Sequence, residues 1–176
     1  TFLHGFTMGG GVGVGCHASH RIVCENSQIA MPECSIGLVP DIGGSLLLAK
    51  APGHCGEYLG LSGDRMDAGD AIYAGFADHH VPQDAWEDVK DALIATGDTS
   101  AIQASATLPP ASRLSAWQIE IDSVFAGASL TDITQAMRHA DGPAMTHIRK
   151  LISYNAPLAM AVATKIIRAA RNDPSI

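Results

Sequence analysis

Charge is scarce in this chain. Only 16% of its 176 residues are Asp, Glu, Lys or Arg, and they sum to −7. No basic stripe occurs, so the electrostatic footprint of a nucleic-acid binder is missing. Cysteines number four, at 16, 24, 34 and 55, and no two form a C-x-x-C pair. That argues against a zinc ribbon or a dithiol redox motif, and a reducing compartment is expected, cytoplasm or mitochondrial matrix. No apolar run reaches the roughly 20 residues needed to span a bilayer. An initiator Met and a signal peptide are also lacking. The opening "TFLHGFT" reads as a strand end running straight into glycines, which is expected of a fragment of a longer protein, missing its N-terminal part and its extreme C-terminus.

What is present is core-forming. Hydrophobic residues make up 47% of the chain, enough to bury a core in one domain of ordinary size. Short β-type runs are expected at 1–7, 21–25, 28–32 and near 79–81, and a short helix at about 10–18. "SLLLAKA" and "GHCGEYLGLSG" predict helices, the second stopped by Gly63, and Asp67 predicts the N-cap of a third. Residues 33–44 and 97–112 read as loops. Helices are expected at 83–96, 112–126, 130–140, 143–153 and 157–172, with Pro157 at a first helical position. The first half, 1–82, is therefore α/β and glycine-rich, and 83–176 is helical.

Five glycines fall between Gly9 and Gly15 in "TMGGGVGVGCH". A P-loop would follow Gly15 with Lys and Ser or Thr, but Cys16 and His17 stand there. A dinucleotide fingerprint fails as well, because Val14 and Cys16 occupy the positions of its third glycine. A glycine turn from strand to helix still exposes backbone N–H donors, which suit an oxyanion. Close helix packing is the alternative role for the same glycines.

Two acids stand in an otherwise apolar segment, Glu33 after Pro32 and Asp41 after Pro40. Isolated charges in such runs are costly unless paired or used. A carboxylate facing a pocket serves as nucleophile or general base; capping of nearby backbone N–H groups is the alternative. Cys16, His17, His20 and Cys24 lack a completing ligand for zinc, so no metal is expected and packing roles are assigned to them. Arg65 is a candidate for phosphate contact or for a salt bridge. His79 and His80 are read as surface groups, Trp86 and Trp117 as core.

Together, "MGGGVGxxxHxxxRIV", "AMPExxIGLxPDxGG" and "GLSGDRMDAGDAIYAGFADHHV" resemble the crotonase (enoyl-CoA hydratase/isomerase) superfamily, and within it most the branch that hydrolyses 3-hydroxyisobutyryl-CoA. The match is strong over about 4–82 and weaker onward. The resemblance implies an α/β fold, the C-terminal part of a β-β-α spiral followed by a helical region. It implies an acyl-CoA substrate held at Gly9, Gly10 and Gly11, with the Gly10 N–H as one of two oxyanion donors. The other donor would come from an upstream segment outside this chain. Hydratases of the superfamily carry a glutamate where Gly13 stands; the hydrolase branch has Gly there, keeps Glu33 and adds Asp41. Thioester hydrolysis by Glu33 and Asp41 is thus implied, with coenzyme A as part of the substrate and no separate cofactor. An isomerase or hydratase of the superfamily is the alternative, and a non-catalytic acyl-CoA-binding protein a second. A homo-oligomer, trimer or dimer, is expected.

Overall fold

The computed structural model describes residues 1–173; the last three residues of the region read as helical, 174–176, lie outside the described part. The N-terminal segment is two strands rather than one. β1 (Phe2–Leu3) and β2 (Phe6–Met8) are separated by a turn at Gly5 and enter different sheets. β1 pairs in parallel with β3 (Ile22–Val23), and β3 with β5 (His79–His80). β2 pairs in parallel with β4 (Gln28–Ala30), in the register Thr7 to Ile29. Strands this short hold because the chain between them returns over the core: Leu3, Val23 and Ile29 are fully or nearly buried.

α1 (Gly10–Gly15) follows β2 and is shorter than the sequence suggested. It stops early because glycine is a poor helix former and nothing acidic or polar caps its start. α2 (Gly44–Lys50), α3 (Cys55–Ser62) and α4 (Ala68–Tyr73) follow, with Asp67 accepting a bond from the Asp70 N–H as the expected cap. The second half contains α5 (Trp86–Thr96), α6 (Ser100–Ser105), α7 (Arg113–Phe125), α8 (Leu130–His139), α9 (Pro143–Ile152) and α10 (Pro157–Asn172).

α6 lies in a stretch expected to be loop. Its composition is polar, but Ile102 inserts into a small core with Ile22, Cys24, Val81, Trp86 and Val89. Asp98 accepts bonds from the Ser100 N–H and hydroxyl, ordering the approach to the helix. Tertiary packing thus makes a helix that propensity alone does not. The main core runs from Leu3 to Ile167: α7, α9 and α10 pack on α2–α4, and α8 packs on α7 and α10. No helix among the described residues is long and apolar enough to cross a membrane.

Candidate active site

Parallel pairing of β2 with β4 explains why two distant motifs meet. Neighbouring parallel strands end on the same edge, so the chain leaves β2 into the glycines beside the point where it leaves β4 into Pro32 and Glu33. The Gly9 N–H donates to the Ala30 carbonyl at 3.1 Å, extending the ladder by one bond. Glu33 then opens a 3-10 turn, Glu33–Ile36, inside the segment read as loop. The Ala156 N–H, at the start of α10, donates to the Cys34 carbonyl at 2.9 Å and holds this turn from behind. Asn155 ties the same α9–α10 junction to the end of α3, donating to the carbonyls of Leu61 and Ser62.

A cleft of about 330 Å³ opens at this edge. Gly9 and Gly10, Glu33, and Asp41 with Ile42 line it, and Met8, Ile36 and Leu38 supply apolar walls. Glu33 is buried at its base, 6% exposed, while Asp41 sits exposed at the rim. One Glu33 carboxylate oxygen, Oε2, is buried with no protein partner. Burial pushes the Glu33 carboxyl above its ordinary range; a backbone hydrogen bond pulls it down, and the charge of Asp41 adds to the rise. Buried polar atoms are nearly always satisfied, so an orphaned carboxylate oxygen on a residue lining a cleft makes Glu33 a candidate functional group; His80 Nε2 and Glu120 Oε2 are also unpartnered, but those residues lie outside this cleft. Cys34 is no competing nucleophile. Burial and the neighbouring Glu33 push its thiol up to about 11, so it stays protonated at neutral pH.

Gly9 permits the approach. Its φ of 53° and ψ of −118° suit only glycine, and a Cβ there would lie 2.7 Å from Glu33 Oε1. Gly9→Ala should therefore cost about 1–3 kcal/mol, read as a Tm lower by roughly 2–12 °C. An unchanged Tm would show that the Glu33 carboxylate is not held against this backbone. Gly10 is exposed at the first position of α1, where a backbone N–H has no partner within the helix. Gly11 lies outside the cleft, since one helical step turns it toward the Thr7 side chain.

The other singled-out residues divide between agreement and difference. Cys16 and Cys24 are buried, but His17 is exposed, and no group of three metal-ligating side chains occurs among the described residues. His20 stacks on His79, with ring centroids 6.4 Å apart. Arg65 forms no ion pair among the described residues; its guanidinium lies over the Phe6 ring, 5.2 Å from the centroid. Trp86 is core, whereas Trp117 is half-buried beneath the Arg113 guanidinium.

Two buried acids escaped the sequence reading. Glu57, fully buried in α3, receives Arg171 at 2.7 and 2.8 Å, Arg168 at 3.2 Å and His54 at 3.2 Å. Asp64 gathers Tyr58, Arg113 and His147. The available signal was a lone charge inside the apolar "CGEYLGL", the same argument that exposed Glu33. Both are fully partnered and brace helices; Glu33, buried as a whole residue, keeps an unmet oxygen, as does the half-buried Glu120 at Oε2.

Comparison with known proteins gives the same picture. The family model described as enoyl-CoA hydratase/isomerase matches residues 1–176. The chain is 33% identical over 184 residues to a probable 3-hydroxyisobutyryl-CoA hydrolase 3 of Arabidopsis thaliana, covering 97% of this chain and 48% of that protein. Among solved structures, an enoyl-CoA hydratase from Rhodobacter sphaeroides 2.4.1 is 49% identical with a TM-score of 0.86, over 96% of this chain and 48% of that one. A carnitinyl-CoA dehydratase from Mycobacterium thermoresistibile is 41% identical with a TM-score of 0.91, over 96% and 49%. The chain thus spans about half the length of these relatives. With its two motif turns on one parallel edge and a family match along its whole length, the chain belongs to the crotonase, or enoyl-CoA hydratase/isomerase, family.

Proposed function

We propose that this chain carries the catalytic acids of an acyl-CoA thioester hydrolase, converting 3-hydroxyisobutyryl-CoA and water to 3-hydroxyisobutyrate and CoA, a step of valine breakdown. The observation that carries this reading is the buried Glu33 carboxylate, with one oxygen unpartnered, facing the same cleft as Asp41 and the Gly10 backbone. The Gly10 N–H, with a second donor from outside this chain, polarises the thioester carbonyl. A Glu33 oxygen attacks the carbonyl carbon, the C–S bond breaks, and CoA leaves as a thiolate that takes a proton from water. Water activated at Asp41 then opens the resulting mixed anhydride, restoring Glu33 and releasing the hydroxy acid. Alternatively, Glu33 activates the water directly. Asp41, at the rim, also suits the substrate's β-hydroxyl.

A thiolate leaves without strong acid assistance, so two carboxylates and an oxyanion site suffice. No metal or redox cofactor enters this scheme. We place the reaction in a reducing compartment, cytoplasm or mitochondrial matrix, and in a homo-oligomer, trimer or dimer. Supporting the compartment, the four cysteines are free and buried.

A second reading, hydration or isomerisation of an enoyl-CoA, is favoured by the names of the two solved relatives. Against hydration stands Gly13, where a second glutamate would be needed to hold the water between two acids. An assay of free CoA release by the full-length protein, run across several 3-hydroxyacyl-CoA esters, separates the two. The hydrolase reading expects CoA release, greatest with the 3-hydroxyisobutyryl ester. Water addition or double-bond migration without CoA release would replace it with the second reading.

A further inference from the structure

The loop that carries Asp41 is held in a conformation its own residues disfavour. Ile42 has φ of +45°, and among the described residues it is the non-glycine residue with positive φ. A β-branched side chain is a marked outlier there and persists only where the surroundings fix it. Apolar burial is not what fixes it, since Ile42 is 59% exposed. Fit against α1 is. Gly10 and Gly13 lie three residues apart and so share one helix face. The Ile42 side chain lies along that face. A Cβ on Gly13 would come within 2.5 Å of Ile42 Cγ2, 2.7 Å of its Cβ and 2.6 Å of its carbonyl oxygen; a Cβ on Gly10 would lie 3.4 Å from Cδ1. On the loop's other side the His17 imidazole abuts Gly43.

We infer that Ile42 is the positioning residue for Asp41, seated in the space that Gly13 leaves empty, and that Asp41 in place and any side chain at position 13 are mutually exclusive. The inference rests on the reading of Glu33 and Asp41 as the working pair and adds what enforces it. The obstacle to a side chain at 13 includes a backbone carbonyl, so rotating the Ile42 side chain does not make room. The loop itself must leave. In this chain a glutamate at 13 would therefore come at the expense of the placement of Asp41. On the hydrolase reading, a preference for hydrolysis over hydration follows from this contact.

The test uses the full-length protein and a double-mutant cycle. Ile42→Gly removes the side chain and relieves the backbone, so Tm is expected to hold or rise. Loss of aim at Asp41 should nevertheless lower kcat for thioester hydrolysis about ten- to hundredfold. In an Asp41→Asn background, Ile42→Gly should cause no further loss, because both changes act through one group. Equal loss in both backgrounds, or none in either, overturns the inference. Amide hydrogen exchange supplies a readout independent of turnover. Gly13→Ala should speed exchange at residues 41–44 while α3 stays protected, and unchanged exchange in that loop overturns the clamp. If wild-type protein releases no CoA, the hydrolase reading fails, and the exchange result still decides the clamp.

Discussion

Replacing Glu33 by Gln is expected to abolish thioester hydrolysis by the full-length protein and, at neutral pH, to make it more stable. The loss should be at least the 10²–10⁴-fold associated with a general base, and more if Glu33 is the nucleophile. The gain in stability has a separate cause. In the wild type a carboxylate sits buried with one oxygen unpartnered, and its desolvation raises its pKa. An acid whose folded-state pKa is raised above its ordinary value, 4.5, destabilises the fold once pH exceeds that value. Below it both states are protonated and the penalty vanishes. The neutral amide carries no such penalty, so Glu33→Gln should gain about 1 kcal/mol, or about 2–4 °C in Tm at this chain length. The same shift sets the pH profile. Catalysis needs the ionised form, so the acid limb of kcat/KM should fall above the ordinary glutamate value and disappear in the variant. Turnover near wild type, or a fall in Tm, would remove Glu33 from the centre of the site.

Glu57 predicts the largest loss of stability. It is fully buried, and its partners come from both α3 and the far end of α10. Burial alone would raise its pKa, but hydrogen bonds and charge from Arg171, its backbone and His54 prevail, and the carboxyl titrates below its ordinary value of 4.5. Truncation by Glu57→Ala leaves the Arg168 and Arg171 guanidinium groups half-buried beside a cavity. Breaking a buried pair on one side costs about 3–5 kcal/mol, or roughly 6–20 °C in Tm. For the wild type, the stability from this carboxylate is complete above its ordinary value and is lost as pH falls through the depressed one. A ΔTm under about 2 °C, the scale of a surface pair, would mean that these arginines are held by the Phe125, Ala128 and Ala49 carbonyls they also reach.

The candidate carboxylates stood out in the sequence, whereas several elements around them did not. Glu33 and Asp41 announced themselves because an unpaired charge in an apolar run needs a reason; Gly13 drew notice only through the resemblance to hydratases, which carry a glutamate there. Helix ends were readable where one residue decides them, as at Asp67 and Pro157. Elements whose existence depends on distant partners were not readable. α6 forms because Ile102 finds a core assembled from residues around 22, 81 and 86. The split between β1 and β2 depends on which strand each one meets. Glu57 resembled Glu33 in sequence, and only the arrival of Arg168 and Arg171 separates a brace from a reactive acid. The positive φ of Ile42 had no local signature, because glycine or asparagine is the usual occupant of that conformation.

The bond from the Ala156 N–H to the Cys34 carbonyl bears on when the site comes into being. The residues of this chain proposed for chemistry lie before position 42, more than a hundred residues ahead of the segment that backs their turn. The backing of their turn arrives only after α9 has been made. Contacts of such long sequence separation form late, once loop closure has been met by other packing. The acids are thus made before the segment that aims them, and chains that end short of it carry the carboxylates without their geometry.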